Sequence, residues 1–425
     1  MSDSILIDTG DLRFIEGHGQ LVVKSHGGRI EAEFHNLEGP RFLTKYMRGK
    51  PVELAPRVAS RICGLCYTVH SISSAEAVER ALGMKISEDV KKLRNVLYMA
   101  NNLRSHLIHL LFLSIPPVEG LISALRMRDM NIVRMGANIL SKATELIEVW
   151  GGRSVHVPNV IVGGFGKAIK CKELLRPIHD LAMLSNDAEQ LVRYALNLEL
   201  PELERYRILA ALKRPGSYPI YAEEANVAFS DGSALSPSEY YEGLEEVSKD
   251  YSTSKHVYFK KSEITVGALS RIMLNKRYLS SRARELAEEV EWGLNPFLNI
   301  KAQAIEVLHY MDELISLGGE LAEIPPENLK PEDIKAHRDR GTGFFVAEAP
   351  RGTLCHYCEI EDWKVKDYRV YTPTAINSKS IENDAVELVK RFKPIGSQKL
   401  RFILEDMVRS YDPCLSCAVS LDIYE

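Results

Sequence analysis

Two Cys-x-x-Cys pairs near opposite ends of this 425-residue chain limit what it can fold into. The first is Cys63-Gly64-Leu65-Cys66 and the second is Cys414-Leu415-Ser416-Cys417. Bringing the pairs together closes a loop of about 350 residues, which costs roughly 5 kcal/mol of chain entropy. A tight thiolate-metal site can return on the order of 10 kcal/mol or more. The sequence therefore predicts one four-thiolate metal site inside a single folded domain, residues 1–425.

The composition excludes several classes of partner. A formal net charge of −4 and a pI near 6.3, without a block of Lys and Arg, argue against nucleic acid or an anionic membrane surface. The longest apolar stretch, 107–118, contains His109 and two prolines, and it is too short for a transmembrane segment. Residues 1–11 do not resemble a signal peptide. Most of the seven cysteines have Cys-x-x-Cys spacing, which favours metal binding in a reducing compartment, so we expect a cytoplasmic protein.

Hydrophobic periodicity predicts an α-rich α+β fold, a long central helix bundle with small peripheral antiparallel sheets. Alternation over 20–37 predicts a small N-terminal sheet within 1–40. Apolar stripes predict a helical core over 70–320, with the first long helix starting at Ser87 and ending at Pro116 and Pro117. The other predicted elements are helices at 132–150, 174–198, 278–292 and 297–317, an irregular stretch at 200–235, and within 340–425 strands at 344–347, 354–360 and 367–371 and a helix at 397–411.

The cysteine spacing alone leaves three kinds of site open. Four thiolates suit a structural zinc site, and a single Cys-x-x-Cys also suits a redox-active dithiol. Zinc ribbons stabilise small local modules, whereas these pairs enclose a large helical body that has a core of its own. The distance between the pairs therefore argues against structural zinc without excluding it.

The sequences around the cysteines resemble the large subunit of [NiFe]-hydrogenases. The resemblance is carried by residues 61–70, Asp412-Pro413-Cys414-x-x-Cys417, Glu348-Ala349-Pro350-Arg351-Gly352, Glu16-Gly17-His18 and 151–164. It spans essentially the whole chain. It is greatest to the cytoplasmic, multisubunit enzymes that couple hydrogen to nicotinamide, deazaflavin or sulfur-linked acceptors. The resemblance implies the hydrogenase large-subunit fold and a hydrogen:acceptor oxidoreductase.

The resemblance also implies a ligand set and a proton acceptor. Cys63 and Cys414 would bind nickel terminally. Cys66 and Cys417 would bridge nickel to an iron that carries carbon monoxide and two cyanides. Hydrogen would be cleaved heterolytically, and Glu16 would relay the proton from the thiolate of Cys414.

Further residues match positions around the metals in the family. Arg351 would overhang the metal pair with its fixed positive charge. Thr374, which follows Pro373, matches a donor to a cyanide ligand. His70 matches a hydrogen-bond donor that does not itself bind metal.

The chain departs from the family pattern at three positions. Ser420 replaces a His and Thr44 replaces a Glu, which together hold a magnesium or similar ion, so we expect this accessory ion to be absent. A hydroxyl pair, Thr44 and Ser420, could take its place. Pro117 replaces the Asp that usually orients the arginine, and we expect Glu119 to orient Arg351 instead.

The remaining cysteines predict no further cluster in this chain. Strand alternation puts Cys355 and Cys358 on opposite faces, which favours buried core cysteines over a second metal site. Cys171 has no evident partner. Since no iron-sulfur cluster is expected here, electrons would leave through a separate iron-sulfur small subunit that docks near the first Cys pair, and then through a further subunit that reduces a soluble carrier. The alternative is a hydrogenase-derived structural or electron-relay subunit with a zinc-filled or empty four-Cys site.

Overall fold

Helices carry the largest hydrophobic core of the fold. The structure is a computed structural model that describes residues 4–27, 29–127, 129–167, 171–221, 224–392 and 397–419. The helices are α1 (Leu43–Met47), α2 (Ala55–Ala59), α3 (Tyr67–Leu82), α4 (Glu88–Ile108), α5 (Ile115–Val118), α6 (Met130–Gly151), α7 (Leu175–Met183), α8 (Ser185–Leu196), α9 (Pro237–Glu242), α10 (Ala268–Asn275), α11 (Ser281–Glu288), α12 (Asn299–Ala322), α13 (Pro373–Phe392), α14 (Ser397–Ser410) and α15 (Leu415–Ala418). In the described parts of the chain, none of them is long and apolar enough to cross a membrane.

The strands form small antiparallel sheets, as the sequence predicts. They are β1 (Ser4–Asp8), β2 (Gly19–His26), β3 (Arg29–Asn36), β4 (Val160–Ile161), β5 (Gly164–Phe165), β6 (Ala210–Lys213), β7 (Asn226–Phe229), β8 (Ala234–Leu235), β9 (Leu244–Lys249), β10 (Ser252–Phe259), β11 (Gly341–Ala349), β12 (Gly352–Glu361) and β13 (Lys364–Tyr371). The three-stranded sheets have the orders β1-β2-β3, β6-β7-β8 and β11-β12-β13. The region 200–235 is therefore not wholly irregular, because it contains β6, β7 and β8.

The long helix α4 begins where the sequence predicts and ends earlier. The Ser87 side chain accepts a hydrogen bond from the Val90 backbone N–H at 3.3 Å, which caps the helix N-terminus. The α-helical pattern stops at Ile108, and a π-helical turn, His109–Ser114, leads into α5. The two prolines lie in the first turn of α5, where a missing backbone N–H costs no hydrogen bond.

Helix α13 is absent from the sequence prediction because much of its buried face is polar. Thr374, Asn377, Ser380 and Asp384 are buried along with its apolar residues. These side chains have partners elsewhere in the fold: Asn377, for example, bonds both the N–H and the carbonyl of Val266. Buried polar groups that are satisfied in this way interrupt an apolar stripe without exposing the helix.

Four structural elements bring the Cys pairs and the family motifs together. Cys66 immediately precedes α3, and α14 leads to Cys414. The turn between β11 and β12 carries Arg351, and this hairpin packs on α3. Glu16 lies between β1 and β2, where its backbone forms a parallel bridge with Cys414.

Candidate metal centre

The four cysteine sulfurs of the two pairs converge on one point. The Sγ atoms of Cys63 and Cys414 are 3.3 Å apart, and those of Cys66 and Cys417 are 3.1 Å apart. All four sulfurs lie within 4.8 Å of one another, and each cysteine is at most 3% exposed. Among the described residues, this is the one group of three or more His, Cys, Asp or Glu that could hold a metal ion. The predicted meeting of the two chain ends is confirmed.

Helix N-termini and hydrogen bonds favour thiolates at this site. Cys66 caps the N-terminus of α3 and Cys414 that of α15, where helix dipoles stabilise negative charge. Backbone N–H groups of Leu65 and Cys66 donate to Cys63 Sγ at 3.2 and 3.3 Å. Burial raises the pKa of Cys63, but hydrogen bonds with Cys414 and the other two thiols outweigh it and hold this pKa well below its usual range. Burial raises the pKa of Cys414 well above its usual range. The sulfurs therefore share few protons, as metal binding requires.

The carboxylate of Glu16 lies beside the second Cys pair. It accepts a hydrogen bond from the Ser416 backbone N–H at 3.1 Å and another from the Ser416 hydroxyl. The Glu16 carbonyl accepts from the Leu415 N–H at 3.0 Å. A Cβ at Gly17, whose φ is +86°, would lie 2.9 Å from the side chain of Leu415, so this close approach needs glycine. Burial, together with the charge of Cys63, raises the pKa of Glu16, which suits a group that receives a proton.

Arg351 is oriented by Asp412, and the prediction that Glu119 takes this role is wrong. The guanidinium donates from Nη2 to Asp412 Oδ1 at 2.8 Å and from Nε to the Asp412 carbonyl at 2.6 Å. Its Nη1 lies 3.3 Å from Ser105 Oγ. Glu119 instead accepts a hydrogen bond from the Tyr194 hydroxyl. The residue that anchors Arg351 is thus part of the Asp-Pro-Cys motif itself.

A second buried arginine supports the turn that carries Arg351. Arg271 donates to both carboxylate oxygens of Glu306, at 2.6 and 2.7 Å, and to Glu348 at 3.1 Å. It also donates to the carbonyls of Ala349 and Pro350, each at 3.0 Å. Every side chain in this ion group has zero exposure. Arg271 therefore fixes the backbone of the Glu-Ala-Pro-Arg-Gly segment.

His70 and Thr374 reach the site from different elements. His70, in the first turn of α3, points Nε2 at Cys417 Sγ, 3.6 Å away, and not at the nearer residue in sequence, Cys66. The Thr374 hydroxyl accepts from the Cys414 N–H at 2.9 Å, which leaves its own proton available to a ligand. Both residues line a small cavity beside the sulfurs, together with Cys66, Ala349, Pro350, Arg351, Leu354, Pro373, Cys414 and Cys417.

The structure tests some of the remaining cysteine predictions. Cys355 and Cys358 lie in different hydrophobic clusters, on the two faces of β12, and both have zero exposure. Burial raises the pKa of each thiol, so the predicted core role is confirmed. Thr44 is buried in α1, whereas Ser420 and the Cys171 side chain lie outside the described residues, so the proposed hydroxyl pair stays a prediction.

Two residues at the site have roles that the sequence analysis did not predict. Arg41 donates to the carbonyls of Ile62 and Ser416, so it joins the backbones of both Cys segments. No local motif identifies it. Asp412 directly precedes Pro413 and Cys414, and its position next to a ligand was a usable signal for a charged partner.

Comparison with known proteins gives consistent matches along the chain. The family model described as nickel-dependent hydrogenase matches residues 41–117 and 212–420. Sulfhydrogenase 1 subunit alpha of Pyrococcus furiosus is 31% identical over 419 residues, 95% of each chain. Sulfhydrogenase 2 subunit alpha of the same organism is 30% identical over 98% of this chain and 99% of the relative.

Solved structures show the same fold. A crystal structure of an NAD+-reducing [NiFe]-hydrogenase in the H2-reduced state aligns with a TM-score of 0.86 at 22% identity, over 99% of each chain. The Ni-Fe-Se hydrogenase from D. vulgaris Hildenborough aligns with a TM-score of 0.74 at 20% identity, over 98% of this chain and 100% of that one. The predicted fold class is confirmed.

Proposed function

Because the chain belongs to the nickel-dependent hydrogenase family, as a large catalytic subunit, we propose that it oxidises hydrogen or reduces protons at a nickel-iron centre. The observation that carries this proposal is the convergence of four buried cysteine sulfurs from both ends of the chain. Soft thiolates suit nickel and iron. When bound, the metal pair supplies the heterolytic cleavage of hydrogen.

We assign Cys63 and Cys414 to nickel and Cys66 and Cys417 to both metals. The cavity supports this assignment, since Cys66 and Cys417 line it and Cys63 does not. Much of the rest of its wall is the carbon surface of alanine, leucine and proline residues, which leaves room for small ligands on iron and keeps water away. We propose one carbon monoxide and two cyanides as those ligands.

The charged residues around the cysteines have separate roles in this proposal. Arg351 places a fixed positive charge at the cavity and balances the charge of the thiolates and cyanides. Thr374 offers its hydroxyl proton to a cyanide. Glu16, held by Ser416, accepts the proton that leaves the Cys414 sulfur. Water reaches Glu16 more easily than the cysteines, because Glu16 is only partly buried.

Electrons must leave the centre by way of another chain. Within the described residues no second cysteine group can hold an iron-sulfur cluster. We therefore propose an iron-sulfur small subunit as partner, since the similar chains are named as alpha subunits of hydrogenases. Gly64 is exposed between two buried ligands, so the shortest path from the sulfurs to a partner runs through the first Cys pair. We further propose a cytoplasmic complex with an additional subunit that reduces a soluble carrier.

Metal analysis and infrared spectroscopy of the purified complex test this function. We expect nickel and iron in equal amounts, one carbon monoxide band, two cyanide bands, and hydrogen-deuterium exchange. One zinc without such bands would instead support a hydrogenase-derived structural or relay subunit. The structure weakens one argument for that alternative, because Arg351 is fully anchored by Asp412 despite Pro117.

A further inference from the structure

A chain of four buried side chains leads from the sulfur of Cys417 into the β11-β12-β13 sheet and back to α3. Nε2 of His70 lies 3.6 Å from Cys417 Sγ, and Nδ1 of His70 lies 2.9 Å from Nε2 of His356. Nδ1 of His356 lies 2.7 Å from the Tyr368 hydroxyl, which donates to Ser74 Oγ at 2.6 Å. All four side chains are at most 1% exposed, so water does not compete for these hydrogen bonds.

The backbone geometry closes this chain on itself. Ser74 follows His70 by four residues, so both lie on one face of α3. His356 on β12 pairs with Val370 of β13, two residues from Tyr368, which places His356 and Tyr368 on the same face of the sheet. The helix and the sheet therefore hold the His70 ring from two sides.

The proton count along the chain assigns a role to each ring nitrogen. Tyr368 gives its one proton to Ser74, so its oxygen accepts from Nδ1–H of His356. Burial, followed by the charge of His70, holds the pKa of His356 well below its usual value, so this ring is neutral. Its Nε2 is then an acceptor, and it binds the Nδ1–H of His70. The other nitrogen of His70 is left to face Cys417.

We propose that His356, backed by Tyr368, is a positioning residue of the metal centre that fixes the ring of His70 against the Cys417 sulfur. A polar contact withdraws electron density from a thiolate, so the chain sets how strongly Cys417 donates to the metals. The consequence for catalysis rests on the proposed hydrogenase function, whereas the geometry belongs to this chain alone. The proposal gives a role to His356 of the Cys355-His356-Tyr357-Cys358 segment, whose cysteines bind no metal.

Three variants and one matched control test the proposal in the purified complex. His356→Phe removes both ring nitrogens, and Tyr368→Phe removes only the hydroxyl. His356→Gln keeps an amide oxygen that can accept from His70. The control is Tyr98→Phe, which removes an equally buried hydroxyl that lies 2.8 Å from Ser73 Oγ, on the residue next to Ser74.

The readout is the infrared spectrum of the metal ligands, measured at equal nickel and iron content. His356→Phe should move the carbon monoxide and cyanide bands to lower frequency, because a sulfur with fewer polar contacts passes more electron density to iron. Tyr368→Phe should shift them the same way but less, and His356→Gln should restore most of the shift. Activity should fall about 10–100-fold in His356→Phe. The Tyr98→Phe spectrum should match the wild type.

Wild-type spectra in His356→Phe, or an equal shift in Tyr98→Phe, would overturn the proposal. If His356→Phe does not accumulate as folded protein, wild-type spectra in both Tyr368→Phe and His356→Gln overturn it. A wild type without nickel, iron or these bands means that the proposed function has failed. The chain is then tested with cobalt(II) in the cysteine site, whose sulfur-to-cobalt absorption band must shift in Tyr368→Phe and not in Tyr98→Phe. An unshifted band overturns the positioning role.

Discussion

Replacement of Asp412 by Asn isolates the ion pair that holds Arg351. The two side chains are 1% and 2% exposed and lie 2.8 Å apart, so the variant leaves a buried guanidinium without its carboxylate. Asn suits the backbone here, because Asp412 has a φ of +51° and Asn tolerates this left-handed conformation better than Ala. The substitution therefore changes charge and hydrogen bonding with little backbone strain.

The expected loss follows from the partners of the Asp412 carboxylate. Its Oδ1 accepts from Arg351, and its Oδ2 accepts from Gln303 at 3.0 Å. An Asn amide has one oxygen, so it satisfies one of these two donors and opposes the other with its own N–H. Removing one partner of a buried ion pair costs about 3–5 kcal/mol. We expect the free energy of unfolding of the metal-free protein to fall by this amount, and hydrogen turnover of the complex to fall about 10–100-fold.

Urea unfolding, followed by tryptophan fluorescence and circular dichroism, measures the stability change, and hydrogen uptake measures turnover. The matched control is Glu79→Gln, which changes a buried carboxylate paired with Arg94 at 2.6 Å near the far end of α3. That variant should lose stability but keep wild-type turnover per bound nickel. An Asp412→Asn protein with wild-type stability and turnover would refute the idea that Asp412 anchors Arg351.

Three other changes test separate parts of the site. Glu16→Gln should suppress hydrogen-deuterium exchange and leave the infrared bands in place; undiminished exchange would show that protons leave by another route. Burial raises the pKa of Glu348 to about 7 from 4.5, against the effect of Arg271, so its contribution to stability is fully present below pH 4.5 and is lost as the pH rises through 7. Glu348→Gln cannot ionise and should gain up to about 3 kcal/mol relative to the wild type between pH 5 and 8 in urea unfolding, whereas a constant difference would contradict this pKa. Replacing Cys355 and Cys358 by Ala should leave the metal content unchanged, and the loss of a metal ion would contradict their core role.

Local sequence patterns predicted some elements better than others. Helix α6 follows from its apolar stripe, from the Asp129 cap and from Gly152 at its end, where φ is +83°. Helix α13 could not be predicted this way, because buried Asn377 and Asp384 find partners on other elements. The early end of α4 at Ile108 also has no local signal, since the prolines that seemed to end it fit the first turn of the next helix.

The sequence by itself determined the ligand set of this protein. The Cys-x-x-Cys spacing and its flanking residues are properties of short segments, and short segments keep their chemistry wherever the fold puts them. Only the tertiary structure decided which groups orient the site: Arg351 and Asp412 are 61 residues apart, and His70 and Cys417 are 347 apart. Such contacts depend on how helices and sheets pack, so Asp412 could replace Glu119 and His70 could reach the distant sulfur without any change in the local motifs.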